Sequence, residues 1–185
     1  ELDPTRYSIS AWMKHDGSIA NTGSASGILS KQPSLNGYLI QMKPNYTIDG
    51  SIGTGSGYRN ALCGNTPMSA DTWHFVVSTY DGGTLRTYVD GTSCGSVSWS
   101  GNNSATDTDL TIGVRQAPEY FKGSIDDVAI WNEAITASEV TALYNSGVPI
   151  DATSNSGNYS SSANLKGYWR FAETTGATAY DLSGN

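Results

Sequence analysis

Residues 121–144, FKGSIDDVAIWNEAITASEVTALY, constrain the fold of this chain more than any other stretch. The segment opens as a strand. Strict alternation sends Ile125, Asp127, Ala129 and Trp131 to one side and Asp126, Val128 and Ile130 to the other. Beyond Asp127 both sides are apolar, the pattern of a strand covered on two faces. A helix follows, and its start is marked twice. Thr136 and Glu139 form the T-x-x-E capping box, while Ile135 and Val140 stand at the staple positions around it. The Thr136 cap contributes on the order of 1 kcal/mol. Gly147 is the expected left-handed stop, and Pro149 forbids continuation. About two helical turns result, with Val140, Leu143 and Tyr144 on the inner face.

The rest of the chain is written in period two. Tyr7, Ile9, Ala11 and Met13 share a face, with Trp12 opposite. Gly27–Lys31 and Tyr38–Lys43 predict paired strands, and Tyr46–Ile52 another. Trp73, Phe75, Val77 and Thr79 alternate up to an Asp81-Gly82-Gly83 turn, and Leu85, Thr87 and Val89 return. Strands are also predicted over 95–100 and along Leu110, Ile112 and Val114. Residues 53–59 are rich in glycine but lack the Gly-Lys-Ser/Thr of a phosphate loop, so they read as a turn. Residues 151–163 form a Ser/Asn-rich connection without apolar periodicity. Leu165, Gly167, Trp169 and Phe171 then alternate in a last strand.

Several of these segments resemble laminin-G-like jelly-roll domains of the concanavalin A-like lectin/glucanase superfamily. Gly123, Ile125, Asp126, Asp127 and Trp131 stand where that family places its Gly, apolar, acid, acid and aromatic residues. The family's S-x-E-I-x-x-L-Y helix is matched from Ala137 through Tyr144. WHFVVSTYDGGTLRTYVDG resembles its central hairpin, ISAWMK an early strand and LTIG a late one. The resemblance implies an all-β, two-sheet antiparallel jelly-roll sandwich with one short α-helix. Residues 1–150 would be the core, 151–164 the connection, and 165–185 a final strand. That strand either completes the sandwich, opens a next repeat, or exchanges between copies to build a filament. The first option closes an open sheet edge and is the one expected. The abrupt start at Glu1 reads as a mature end or a fragment.

Composition narrows the class. Only 15% of the 185 residues are charged and 21 are glycine, which fits a turn-rich secreted or surface protein. A net charge of −7 argues against nucleic-acid partners, and no apolar run is long enough for membrane insertion by a helix. Cys63 and Cys94 form either a disulfide in an oxidising compartment, two free buried thiols, or a redox or metal pair without nearby His; the disulfide is expected. His15 and His74 have no metal-type spacing and read as structural.

An enzyme on such a fold would be a glycoside hydrolase needing two facing carboxylates. The E-x-D-x-x-E strand of related β-glucanases is reduced here to Ser124-Ile125-Asp126-Asp127-Val128, and alternation sends Asp126 and Asp127 to opposite faces. No catalytic residue is therefore expected. Binding remains: a carbohydrate or surface polymer held by Trp99, Tyr120, Tyr58 or Tyr46, with Asn102, Asn103, Gln116 and Glu119 as polar partners. Trp12, Trp73, Trp131 and Trp169 are assigned to the core. The alternative is a structural subunit of a surface or virion fibre, associating with copies of itself. Calcium is the plausible ion, with Asp126, Asp127, Asp16, Asp107 and Asp109 as candidate ligands. Asn45, Asn102 and Asn158 fit the glycosylation sequon.

Overall fold

The computed structural model describes residues 2–18, 25–32, 35–65, 67–103 and 106–185. Its strands are β1 (Tyr7–His15), β2 (Ser26–Lys31), β3 (Tyr38–Met42), β4 (Ile48–Gly53), β5 (Tyr58–Leu62), β6 (His74–Tyr80), β7 (Thr84–Val89), β8 (Thr92–Ser98), β9 (Thr111–Ile112), β10 (Gly123–Trp131) and β11 (Leu165–Trp169); α1 is Ala137–Tyr144. They form a six-stranded sheet ordered β11-β10-β1-β6-β7-β8 and a five-stranded sheet ordered β5-β4-β3-β2-β9. All the strand pairings are antiparallel. This is the expected two-layer jelly roll.

Alternation builds two cores. Tyr7, Ile9, Ala11 and Met13 of β1 meet Tyr38, Ile40, Met42, Ile48 and Ile52 between the sheets. On the other side of the six-stranded sheet, Trp12, Phe75, Val77, Ala129 and Trp131 pack under Ile135, Val140, Leu143, Tyr159 and Tyr168. Burying each such aliphatic side chain stabilises the fold by roughly 2 kcal/mol. The six-stranded sheet is thus covered twice, as the apolar run of residues 128–131 requires. The capping box forms: Glu139 N donates to Thr136 Oγ1, and Thr136 N donates to the Glu139 carboxylate.

Several local expectations need correction. The register of β10 on β1 slips between Ala129 and Asp126, where Asp127 adopts φ 44°. This β-bulge inserts one residue and resets the alternation. Ile125 therefore packs into the inter-sheet core with Val128 and Ile130, not beside Ala129. Helix α1 stops at Asn145 (φ 43°), two residues before Gly147, because Asn tolerates the left-handed region. Tyr46 sits in a turn at φ 62°, and its strand begins only at Ile48. Strand β5 was hidden by a mostly exposed edge-strand pattern. Trp73 precedes β6 and is 40% exposed, so it is not a core residue.

Residues 151–164 are not a loose connection. Glu139 Oε1 accepts from Ser160 N, Ser160 Oγ and Ser161 Oγ, and Tyr159 Oη accepts from Trp131 Nε1 at 2.9 Å. Ala152 and Tyr159 are buried. The chain is thereby led back to the sheet, where β11 pairs with β10. Residues 170–185 continue along that margin, with Leu182 N donating to Tyr168 O and Asp181 Oδ1 accepting from Tyr168 N.

Cys63 and Cys94 form a disulfide. It joins the end of β5 to β8, the edge strands of the two sheets. Gly95 allows the approach: a Cβ there would stand 2.8 Å from Ala61 O.

Candidate functional site

The residues expected to bind divide between the two ends of the sandwich, because β1 runs from Tyr7 at one end to His15 at the other. Tyr58, Trp99, Asn102 and Asn103 lie at the Tyr7 end. Trp99 stacks on Tyr80 at 5.4 Å and packs against the core, so its ring is engaged. Asn103 is buried and donates to Pro4 O; Asn102 is exposed. Tyr58 opens β5 beside Gly53. At the His15 end, Tyr46 stacks on His15 at 5.0 Å and its hydroxyl donates to Gly17 O.

Both histidines make hydrogen bonds within the fold. His15 Nδ1 accepts from Gly17 N, so Nε2 carries the proton donated to Met68 O. His74 Nδ1 meets Asp90 Oδ2 at 2.7 Å, and Asp90 Oδ1 accepts from Phe75 N, which locks the hairpin.

Gln116, Glu119 and Tyr120 are brought together on one loop. Glu119 O accepts from Gly27 N, and Tyr120 bridges to Gly27 in parallel, so this loop continues the line of β9 beside β2. Bridged residues share a face. A row therefore crosses the outer face of the five-stranded sheet: Tyr120, Gly27, Gln41, Asp49 and Leu62. At about 4.8 Å per strand, Tyr120 and Asp49 stand roughly 14 Å apart. Tyr120 is 48% exposed and Leu62 46% exposed at the two ends of the row. Between them, Asp49 Oδ2 holds Gln41 Nε2 at 2.9 Å and Lys43 Nζ at 3.0 Å.

Three buried oxygens of this region accept no hydrogen bond: Gln41 Oε1, Asp49 Oδ1 and Glu119 Oε2. Arg115 Nη1 lies 3.3 Å from Glu119 Oε2 as an ion pair without hydrogen-bond geometry. All three atoms are acceptors, so what they lack is donors. The backbone of Val114 and Arg115 crosses directly over Gly27, where a Cβ would stand 2.2 Å from Arg115 N. Gly27→Ala should therefore lift the loop from the sheet and lower stability by about 2 kcal/mol in urea denaturation. An unchanged midpoint would disprove this seating.

The five candidate calcium ligands do not converge. Among the described residues no group of three His, Cys, Asp or Glu side chains could hold a metal ion. Asp16 Oδ1 accepts from Ser18 N and Oγ, bonds that hold its carboxyl below the usual range. The segment carrying Asp107 and Asp109 is pinned by Lys31, whose ammonium takes Thr106 O, Thr108 O and the Asp3 carboxylate. A side-chain cation already stands there. The arrangement does not fit one calcium site, and no ion enters the functional reading below.

The bulge also overturns the expectation that Asp126 and Asp127 face apart. Asp126 pairs with Trp12, and both carboxylates line spaces against the Trp12 ring on the helix side of the sheet. Asp127 is engaged: Tyr168 Oη donates to it at 2.6 Å and Arg170 Nε lies at 3.5 Å. Burial raises the Asp127 pKa and the Asp126 charge adds to this, against the pull of Tyr168 and Arg170.

Two antiparallel layers, with one short helix packed on the outer side of the six-stranded sheet, define a jelly-roll sandwich. Residues 1–141 match the laminin-G-like family described as the concanavalin A-like lectin/glucanases superfamily, and the chain belongs to it. No curated protein sequence matches the chain. Among solved structures, a Bacteroides ovatus protein proposed to bind carbohydrate is similar over 97% of this chain and 50% of its own, at 18% identity and TM-score 0.72. The chain thus spans half the length of that protein. Domain 4 of AbnA, an extracellular arabinanase of Geobacillus stearothermophilus solved with arabinotriose, is similar over 77% of this chain and 68% of its own, at 22% identity and TM-score 0.58. The heptameric pentraxin of Limulus polyphemus is similar over 77% of this chain and 71% of its own, at 20% identity and TM-score 0.58. Identities this low establish the fold; ligands are a separate matter.

Proposed function

We propose that this chain is a non-catalytic, extracellular carbohydrate-binding module. The observation that carries the reading is the row across the five-stranded sheet. Exposed Tyr120 offers an aromatic face for the apolar side of a sugar ring. Lys43, held by the buried Asp49 carboxylate, keeps a partly exposed ammonium that donates to sugar hydroxyls. A span of roughly 14 Å suits an oligosaccharide lying across the strands. The similarity to a protein proposed to bind carbohydrate and to an arabinanase domain solved with arabinotriose supports the same class of ligand. The disulfide supports an oxidising compartment.

A glycan array tests this. The wild type should give saturable binding, and Tyr120→Ala should weaken it about tenfold, the loss of one stacked ring. Trp99→Ala should not weaken it, since that ring is stacked on Tyr80. An array without binding, or Tyr120→Ala indistinguishable from wild type, would refute the reading.

One feature favours a second role in association with copies of the chain. Phe171, Tyr180 and Leu182 are exposed on the segment that follows β11. Concentration-dependent elution from a sizing column, removed by Tyr180→Ser with Leu182→Ser, would establish it.

A further inference from the structure

A separate cleft of about 230 Å³ opens on the other side of the molecule, on the helix-covered face of the six-stranded sheet. Trp12, Trp73, Asp126, Gly147 and Pro149 line it. Trp73 stands 40% exposed at its mouth, and Lys14 Nζ lies 5.3 Å from the centre of the Trp73 ring. Asp126 is fixed by its own neighbour: Oδ1 accepts from Asp127 N at 2.9 Å. Among the described residues nothing pairs with Asp126 Oδ2.

These groups restrict the occupant. Lys14 already holds the cation position beside Trp73, so a second cation would be repelled. Asp126 repels an anion. A neutral ligand remains, with an apolar face for the indole. The Asp126 carboxylate accepts hydrogen bonds. A sugar ring answers both groups, because its C–H face stacks on the indole and its hydroxyls donate to the carboxylate. The volume lies below the usual range for drug-sized ligands and suits one ring.

We infer that the Trp73–Asp126 cleft is a second saccharide site, holding a single neutral pyranose by stacking on the free face of Trp73 and by hydrogen bonds to Asp126. It is independent of the Tyr120 row, which faces outward from the opposite sheet. The β-bulge at Asp127 creates it, since strict alternation would not have set Asp126 and its neighbour on this face together.

Indole N–H signals of ¹⁵N-labelled protein provide the test, with Trp73 assigned by its missing signal in Trp73→Phe. The methyl pyranosides of glucose, galactose, mannose and xylose serve as probes. At least one should shift the Trp73 signal in a saturable way. Asp126→Asn, which keeps an oxygen for the Asp127 amide, should weaken that binding about tenfold. Tyr120→Ala should leave it unchanged, even where array binding is lost. A Trp73 signal unmoved by all four glycosides would overturn the assignment. So would equal affinity in Asp126→Asn, or loss of the shift in Tyr120→Ala.

Discussion

Glu139→Ala is expected to lower the unfolding free energy by about 3 kcal/mol, although Glu139 touches no candidate ligand site. Its carboxylate joins two parts of the chain. Oε2 accepts from Thr136 N at 2.8 Å and Thr136 Oγ1 at 3.0 Å, which caps α1. Oε1 accepts from Ser160 N at 3.2 Å, Ser160 Oγ at 3.1 Å and Ser161 Oγ at 2.5 Å, which seats the segment leading to β11. Removal leaves the Thr136 and Ser160 amides without acceptors as well as deleting the cap. Burial alone would raise the Glu139 pKa, but hydrogen bonds from Ser161, Thr136 and Ser160 outweigh it and hold the carboxyl below its usual range. The folded state therefore releases this proton more readily than the unfolded chain does. The contribution is full above the ordinary carboxyl range and is lost as pH falls through the lowered folded value. Urea denaturation at pH 7 and in acid checks both parts. A loss under about 1 kcal/mol at pH 7 would contradict the role, as would a loss that does not shrink in acid.

Cys63→Ser with Cys94→Ser should cost roughly 3–4 kcal/mol on the chain-entropy account of a cross-link. The closed loop has a sequence separation of 31. Three of the five β5 side chains are exposed; besides the disulfide, Thr87 Oγ1 donates to Ala61 O and Gly95 closes on Ala61 and Leu62. Reduction of the wild type should reproduce the effect of the double substitution. The check is the denaturation midpoint of oxidised, reduced and doubly substituted protein. Coincidence of the three would show that the sheets hold together without the bond.

The parts of this fold that were legible in the sequence are those set by near neighbours. Thr136, Glu139, Ile135 and Val140 act within one helical turn, so the helix start could be read directly. The alternation of Tyr7, Ile9, Ala11 and Met13 likewise reports one face of one strand. The bulge was not legible, because Asp126-Asp127 continues the alternation on paper and only pairing with Ser10 and Trp12 reveals the slip. Trp73 looked like the first residue of a buried strand, but it stands one position outside β6. The Tyr120–Gly27–Gln41–Asp49 row depends on register between strands far apart in sequence. Tyr120 can be nominated singly from the sequence, but the row cannot be assembled from it. Gln41 and Asp49 were missed altogether; they read as ordinary outward polar positions, and only their buried unpaired oxygens mark them.

The cross-link between the outermost strands of both layers acts as the spine of a book. The two layers cannot part along β5 and β8, so any breathing must start at the opposite boards, where β9 and β11 lie. The Arg115–Tyr120 loop rides on that free side, in line with β9. Whatever freedom the sandwich has is thus carried toward the Tyr120 loop, while the pinned side stays still.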